Sequence, residues 1–384
     1  MKILLWANGG SSKTRYWGPG TNSFKLYSHN KDKSIKITQV HGIKDLEVDT
    51  TVFESGIFLS DFESKSVWAR LKFLFKAKKW IKNNYKDYDV FHGLGAFETT
   101  FTAAYHFAKL GKPAFIHLTG DQTAFLNNSR ISRLLGLPQR RIKRANDITG
   151  YIANSKAMVQ MLKNVGIKDE KIFNISNHAD TTKFLPVSED EKKNLRKELN
   201  IPERFTVVLI GGLCYRKRTF ELTQACGNLI KSGLDLNLVL VGPDREGGEM
   251  KEKIHLYKQE NDLGNYIHLV DYTPMPIKYY QASDLFVLAS KHEGMSGALI
   301  EAMATGLPSI VTKISGSEDL IVEGENGLYT DGSIGNIQAK ISEFYQDKEF
   351  TINAGEQARF FIEKNCSTEV VLKKHLDLFK RFIK

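Results

Sequence analysis

The stretch from Asp284 to Thr312 constrains the fold more than any other part of this 384-residue chain. Its first part, Asp284 to Ser290, is a nearly continuous apolar run, which is typical of a strand buried on both faces of a parallel sheet. A glycine-containing loop covers Lys291 to Gly297, and Ala298 to Thr305 is rich in helix-forming residues. Leu307 to Val311 begins the next strand. The pattern predicts a strand, loop, helix and strand, with the loop at the carboxyl edge where open parallel sheets bind ligands.

The same loop carries two glutamates and a predicted helix start. Ser296 is placed to cap the helix, Glu293 precedes that cap, and Glu301 lies near the second turn. Free backbone N–H groups at a helix N-terminus suit a phosphate or a polarised sugar hydroxyl. Two carboxylates beside them suit a vicinal diol, which offers paired hydroxyl donors. The loop therefore predicts a site for phosphate or sugar hydroxyls.

Glu293 to Gly297, followed by Glu301 to Pro308, resembles the Glu-x7-Glu signature of family-4 retaining glycosyltransferases, which have the GT-B fold. The resemblance implies that Glu301 binds the ribose hydroxyls of a nucleotide-sugar. It also implies that Glu293 holds the donor sugar, together with the backbone of Met295, Ser296 and Gly297. Two glutamates on a solvated helix face are the alternative, which is disfavoured because the spacing comes with a glycine loop, an Ala-Met-Ala helix and a Gly-x-Pro strand entry.

A second part of the resemblance lies at Val207 to Leu213, a strand that enters the glycine turn Gly211-Gly212. Lys217 fits the family's phosphate-binding lysine. Gly212, however, stands where family members usually carry an arginine, which puts a two-cation diphosphate clamp in doubt. Either Arg216 or Arg218 can replace the missing charge, since a guanidinium suits a bidentate phosphate contact. A solvated basic turn is the alternative.

Two further candidate sites lie in the first half of the chain. Gly18 and Gly20, in a loop predicted for Asn8 to Asn22, resemble the family's first-strand loop that approaches donor phosphate, although a plain surface turn is as consistent with them. His117 ends a buried strand, where the family places a histidine against the donor sugar. Neutral imidazole can bind a hydroxyl or stabilise positive charge at the anomeric centre. A structural histidine in the core is the alternative.

Alternating strand and helix patterns run through both halves and predict two doubly wound, parallel α/β sheets. We expect an N-terminal, acceptor-side domain over residues 1–182 and a nucleotide-sugar-binding domain over 183–365. The resemblance implies the GT-B arrangement of two Rossmann-like domains that face a cleft. It also implies that the last helix, about residues 366–384, crosses back to the first domain.

Charge is distributed unevenly between the halves. Residues 1–180 carry a net charge of +13 and the remainder −3, which together give the formal +10. The segment Lys65 to Lys86 has eight basic residues, no acidic ones, and interleaved aromatics. Such a segment suits an anionic membrane surface, and an ordinary helix with solvated lysines is the alternative. No apolar run reaches eighteen residues, and three widely spaced cysteines suggest reduced thiols, so we expect a cytoplasmic protein, peripheral at most to the inner membrane face.

These features predict a retaining hexosyltransferase that moves a sugar from a nucleotide-diphosphate sugar to a saccharide or lipid-linked acceptor, in assembly of lipopolysaccharide, capsule or similar polysaccharide. We expect UDP in the donor, with GDP next, and neither a cofactor nor a metal ion. Lys217 would stabilise the leaving diphosphate, while Glu293 and His117 would orient the sugar. An epimerase, a non-catalytic member and a basic nucleic-acid-binding protein remain alternatives, the last disfavoured by the absence of a recognised motif. The oligomeric state, sugar and acceptor stay open.

Overall fold

The computed structural model describes residues 1–8, 18–43, 46–59, 67–118 and 137–383. The chain forms two compact units. Unit 1 comprises Met1–Asn177 and Thr368–Lys384, and unit 2 comprises His178–Ser367. Each unit contains one sheet whose paired strands run parallel. The predicted fold class, two doubly wound parallel α/β sheets, is confirmed.

The sheet of unit 1 has seven strands in the order β3-β2-β1-β4-β5-β6-β7. The strands are β1 Lys2–Trp6, β2 Lys36–His41, β3 Ser55–Phe58, β4 Val90–Leu94, β5 Ala114–His117, β6 Gly150–Ala153 and β7 Ile172–Asn174. The helices are α1 Gly18–Ser28, α2 Val67–Asn84, α3 Glu98–Lys109, α4 Leu137–Asp147, α5 Lys156–Asn164 and, after unit 2, α13 Thr368–Phe382.

The two faces of the first sheet are covered by different helices. One face packs against α2 and α3, through Phe73, Ala77 and Phe107 among others. The opposite face packs against α1 and α13, and Leu372 and Phe379 of α13 join that core. The last helix therefore returns to unit 1, as predicted.

The sheet of unit 2 has six strands in the order β10-β9-β8-β11-β12-β13. They are β8 Phe205–Ile210, β9 Leu236–Val241, β10 Ile267–Val270, β11 Leu285–Leu288, β12 Ser309–Thr312 and β13 Gly327–Thr330. The helices are α6 Glu189–Glu198, α7 Thr219–Lys231, α8 Glu249–Glu260, α9 Pro276–Gln281, α10 Gly297–Ala304, α11 Ile334–Gln346 and α12 Lys348–Asn365. The strand order reverses between β8 and β11, which makes the carboxyl edge of these two strands the expected ligand position.

One predicted loop differs from the structure, and some strands were not predicted. The loop predicted for Asn8 to Asn22 is wrong at its end, because α1 already begins at Gly18. Residues 9–17 of that loop lie outside the described residues. The β2 strand was not predicted, since Thr38, Gln39 and His41 interrupt its apolar pattern although all three are buried.

No helix of the described residues is both long enough and apolar enough to cross a membrane.

Candidate active site

Two glycines lie at the carboxyl edge of the sheet of unit 2, after the neighbouring strands β8 and β9. Gly211 follows β8 with a φ of 138°, and Gly242 follows β9 with a φ of 144°. A Cβ atom at Gly242 would overlap the carbonyl of Gly211. Only glycine adopts this backbone freely. The predicted glycine turn therefore lies at the carboxyl edge of the sheet.

Lys217 extends over this turn. It belongs to a short 3₁₀ turn, Tyr215–Lys217, and only 8% of the residue is exposed. A Cβ atom at Gly211 would overlap its Nζ atom. Burial lowers the pKa of Lys217, the charge of Glu293 opposes that change, and Arg216 adds to it. Among the described residues, no carboxylate or carbonyl pairs with this ammonium. A buried cation without a partner is costly, and an anionic ligand would compensate for it.

Glu293 is held by side chains from two different loops. Its Oε1 atom lies 2.6 Å from Nη1 of Arg216 and accepts a hydrogen bond of 3.1 Å from the Ser290 hydroxyl. Arg216 also donates to the carbonyl of His292 at 2.8 Å. The carboxylate is thus fixed beside the glycine turn, near enough to Lys217 to influence its pKa. Ser290 and its role were not predicted.

Arg216 and Arg218, which were predicted to replace the cation missing at Gly212, both contact other groups. Arg216 pairs with Glu293, and Arg218 donates to the carbonyl of Ala289 at 2.9 Å. The side chain that does lie against Gly212 is that of Arg245, because a Cβ atom at Gly212 would come 2.6 Å from its Cγ atom. Sequence reasoning missed Arg245, although its position just after Gly242 and Pro243, at the end of β9, was an available signal.

The loop after β11 ends in the predicted helix start. The Ser296 side chain accepts a hydrogen bond from the backbone N–H of Leu299, so the predicted N-cap is confirmed. Among the described residues, a Cβ atom at Gly297 would meet nothing within 4 Å, so space lies open above the first turn of α10. Met295 is buried at 7% exposure, and Gly316 packs so closely on Gly294 that a Cβ atom would overlap its carbonyl. The N-terminus of α10 is thus fixed and accessible.

Glu301 lies one turn into α10 and is half-buried. The Tyr280 hydroxyl is 3.5 Å from its Oε2 atom and donates to the carbonyl of Ala298 at 3.1 Å. Burial, and then the neighbouring Glu301, raise the pKa of Tyr280 well above its usual range, so the tyrosine stays neutral. Glu301 thus lies beside a neutral hydroxyl, and a carboxylate is the type of group that accepts hydrogen bonds from a diol.

The other predicted site residues belong to unit 1. Gly18 and Gly20 lie in the first turn of α1, where the Ser23 hydroxyl donates to the carbonyl of Gly20 at 2.9 Å. His117 ends β5 and is 6% exposed. Its ring stacks on that of His92, with centroids 5.7 Å apart, and lies 5.4 Å from the ring of His375. His117 is therefore a buried member of a histidine cluster.

An Asp-x-Asp triplet, Asp87-Tyr88-Asp89, was overlooked in the sequence, where such a triplet can hold a divalent ion. It precedes β4, at the amino end of that strand. The carboxylate of Asp89 accepts a hydrogen bond of 2.7 Å from the backbone N–H of Lys2. This contact joins the starts of β4 and β1. It therefore lies at the amino edge of the sheet, whereas such sheets bind ligands at the carboxyl edge.

Comparisons with known proteins agree with this geometry. Residues 191–360 match the family model described as Glycosyl transferases group 1, and residues 44–183 match the one described as Glycosyltransferase Family 4. The capsular polysaccharide biosynthesis glycosyltransferase CapM of Staphylococcus aureus is 25% identical over 222 residues, 56% of this chain and 57% of its own. An Escherichia coli UDP-Gal:alpha-D-GlcNAc-diphosphoundecaprenol alpha-1,3-galactosyltransferase is 27% identical over 215 residues, 55% of this chain and 52% of its own.

The matches thus span about half the length of these curated relatives. Among solved structures, HepE of Anabaena, crystallised with UDP and glucose, superposes with a TM-score of 0.76 at 17% identity and covers 99% of both chains. Identity that low indicates the fold alone. The two family models match parts of both units. The chain belongs to the family-4 glycosyltransferases of GT-B fold.

Proposed function

We propose that this protein transfers a sugar from a nucleoside-diphosphate sugar to a saccharide or lipid-linked acceptor during polysaccharide assembly. The observation that carries the proposal is Lys217, a buried ammonium without a partner among the described residues, lying over the glycine turn. A diphosphate bound there would supply the missing negative charge and accept hydrogen bonds from the open start of α10. UDP is the first candidate for the nucleotide, since HepE was crystallised with UDP and glucose, and GDP is the next.

Each residue at the switch point has a role in this proposal. Glu301 accepts hydrogen bonds from the ribose diol, and the backbone of Met295 to Gly297 contacts the diphosphate and the sugar. Glu293 uses Oε1 for Arg216 and Ser290, which leaves Oε2 for a sugar hydroxyl. Lys217 stabilises the charge that grows on the leaving phosphate. Gly18, Gly20 and His117 belong to unit 1, and the roles that the sequence predicts for them in binding phosphate and sugar stay predictions.

The reaction proposed here keeps the anomeric configuration. The bond between the anomeric carbon and the phosphate oxygen breaks through an oxocarbenium-like state, while the acceptor hydroxyl attacks from the same face. The departing phosphate takes the proton from that hydroxyl. The protein then needs to supply no general base, which fits a site built from cations, a helix N-terminus and an engaged carboxylate.

The proposed second cation of the diphosphate site is Arg245. Its side chain lies against Gly212, the position where family members usually carry the arginine. Arg216 and Arg218 are held by Glu293 and by the Ala289 carbonyl, so neither is as available to a ligand. Lys217 and Arg245 together would clamp the diphosphate from both sides of the Gly211-Gly212 turn.

The proposed acceptor lies at an anionic membrane surface that α2 contacts. Trp68 and Phe75 of α2 are 81% and 74% exposed. Successive spacings of four, three, four and three residues place five exposed side chains on one face of this helix: Trp68, Lys72, Phe75, Lys79 and Lys82. The opposite face is buried through Phe73, Ala77 and Ile81. An aromatic and basic stripe opposite a buried face suits the interface of an anionic bilayer. CapM and the E. coli galactosyltransferase, by their names, act on capsular polysaccharide and a diphosphoundecaprenol acceptor.

Replacing Glu301 with alanine should weaken UDP binding about 10- to 100-fold, since hydrogen bonds to a charged carboxylate contribute about 1.5–3 kcal/mol each. Thermal shift with UDP, GDP, ADP and dTDP measures this. A nucleotide at about 100 times its Kd stabilises by roughly 2.7 kcal/mol, a shift of several degrees. The exposed Glu325→Ala serves as the matched control and should keep the full shift. Absence of a shift with every nucleotide would contradict the proposed donor site.

Replacing Lys217 with methionine should stabilise the ligand-free protein at pH 7, because the folded state then no longer buries an unpaired ammonium. The pKa of Lys217 is lowered in the folded state, so the unfolded chain binds its proton more tightly. The free energy of unfolding of the wild type should therefore increase as the pH rises toward 10.5, because Lys217 loses its proton in the folded state first. The variant should show no such increase from this position. Urea unfolding of both proteins between pH 7 and 10.5 measures it. A variant that is less stable than wild type at pH 7 would refute this account.

Arg245→Gln should lower UDP affinity about tenfold and leave uridine binding unchanged, because only the diphosphate meets the guanidinium. Arg218→Gln, the comparison variant, should bind UDP as wild type does. Isothermal titration at two salt concentrations measures both, with the smaller salt dependence expected for Arg245→Gln. The reverse pattern, with affinity lost in Arg218→Gln alone, would assign the second cation to Arg218.

Replacing Trp68 and Phe75 with serine should lower partitioning onto vesicles that contain anionic lipid at least tenfold, since burying each aromatic contributes about 1.5–3 kcal/mol. Co-sedimentation with phosphatidylglycerol-containing and pure phosphatidylcholine vesicles measures this. Phe360→Ser, at a residue 59% exposed in unit 2, is the control and should not change partitioning. Equal binding of wild type to both vesicle types would argue against the anionic membrane contact.

A further inference from the structure

Three histidines from distant parts of the sequence meet on one face of the sheet of unit 1. His92 comes from β4, His117 from the end of β5, and His375 from α13. One ring nitrogen of each lies within 4.8 Å of those of the other two. All three are buried, at 0%, 6% and 0% exposure respectively. Their rings are therefore grouped in the core, where a polar nitrogen needs a partner.

The contacts of the ring nitrogens indicate which atoms are available to a ligand. Nδ1 of His375 lies 2.9 Å from the carbonyl of Val371, and a carbonyl only accepts, so Nδ1 carries the proton. In the neutral ring Nε2 then keeps its lone pair. Nδ1 of His92 lies 2.7 Å from the Tyr27 hydroxyl, which can accept from it in the same way. Within the described parts of the chain, Nε2 of His92 and Nε2 of His375 have no hydrogen-bond partner.

We propose that His92, His117 and His375 bind a divalent transition-metal ion of the zinc class. Neutral imidazole is a common ligand for Zn²⁺ and not for Mg²⁺ or Ca²⁺, which prefer oxygen. Metal-binding histidines usually donate their second N–H to a carbonyl or another polar oxygen, as Val371 and Tyr27 allow here. Three uncharged ligands leave the fourth tetrahedral position to a water molecule or an anion.

Metal binding requires the ligand nitrogens of the three histidines to move closer together. With Zn–N distances of about 2.0–2.1 Å, ligand nitrogens in a tetrahedral site are about 3.3 Å apart, which is less than the 4.8 Å limit observed here. The surroundings are apolar, with Phe379 5.4 Å from the His92 ring, so the bound ion would be shielded from solvent.

Such an ion would fasten the last helix to the sheet. α13 reaches unit 1 only after the chain has passed through unit 2, so noncovalent contacts alone hold it there. A metal ion bound by His92, His117 and His375 adds a cross-link between α13 and the two central strands β4 and β5. The inference does not rest on the proposed donor site, because Lys217 and Glu301 belong to unit 2.

The test begins with the full chain treated with a chelator and dialysed. Addition of Co²⁺ should give one bound equivalent with the intense visible bands of four-coordinate cobalt, and Zn²⁺ should displace it. X-ray absorption of the zinc form should count three imidazole nitrogens at about 2.0 Å. A wild-type protein that binds no metal ion, or that shows fewer than three imidazoles, would overturn the proposal. The absorption measurement uses wild type only, so it decides the question even if a variant fails to fold.

Variants then locate the site. His375→Gln should weaken Zn²⁺ binding by at least about 100-fold, more than the 10–100-fold typical of losing an outer-shell partner. His255→Gln, an exposed histidine in unit 2, should bind the ion as wild type does. Hydrogen exchange of the backbone over residues 371–379 should become faster when the ion is removed from wild type. Metal binding that persists in His375→Gln would overturn the proposal. Nucleotide binding by the metal-free protein, read separately, distinguishes failure here from failure of the donor site.

Discussion

The close approach of Gly211 and Gly242 is the constraint on which the candidate site depends. The two neighbouring strand ends can come this close because Gly242 has no Cβ atom, since one there would overlap the Gly211 carbonyl. Gly211 in turn leaves room for Lys217 to lie over it, and the next glycine, Gly212, leaves room for Arg245. Both cations can take these positions because the glycines beneath them have no Cβ atom. An alanine at either glycine of the close pair would have to displace the strand end or the ammonium.

The loop after β11, which carries Glu293, is held in place by contacts at both of its ends. The Thr312 hydroxyl donates to the carbonyl of Ser290 at 2.5 Å, which fixes the start of the loop after β11. Gly316 packs on Gly294 and fixes its end. Glu293 lies between them and is bound to Arg216. Donors and charges that are fixed in advance need not reorganise when charge develops on a leaving phosphate, which is where electrostatic catalysis gains most.

Sequence patterns predicted the parts of this protein that depend on local order. The apolar runs of unit 2 predicted the strands that flank its switch point, and the Ser296 cap and the helix that follows it were confirmed. Strand β2 was missed because its buried face includes polar residues, and β3 because it is a short and largely exposed edge. The contact between Arg245 and Gly212 joins separate βα units. The grouping of His92 with His375 depends on a helix returning from the chain end, which no local pattern encodes.

The entropy lost when α13 returns to unit 1 is reduced because the two ends of unit 2 lie close together. Ala179 pairs with Ser367 in a parallel bridge, and its N–H donates to the carbonyl of Cys366 at 3.0 Å. The two ends of unit 2 are therefore neighbours once that unit has folded. The entropy lost in closing a loop grows with the length of the loop. Once unit 2 has folded, the loop that must close to bring α13 to its sheet is effectively a few residues long, and no longer the whole of unit 2. Folding of unit 2 thus prepares the docking of α13, where Val371, Leu372 and Phe379 join the core and carry His375 into the histidine cluster.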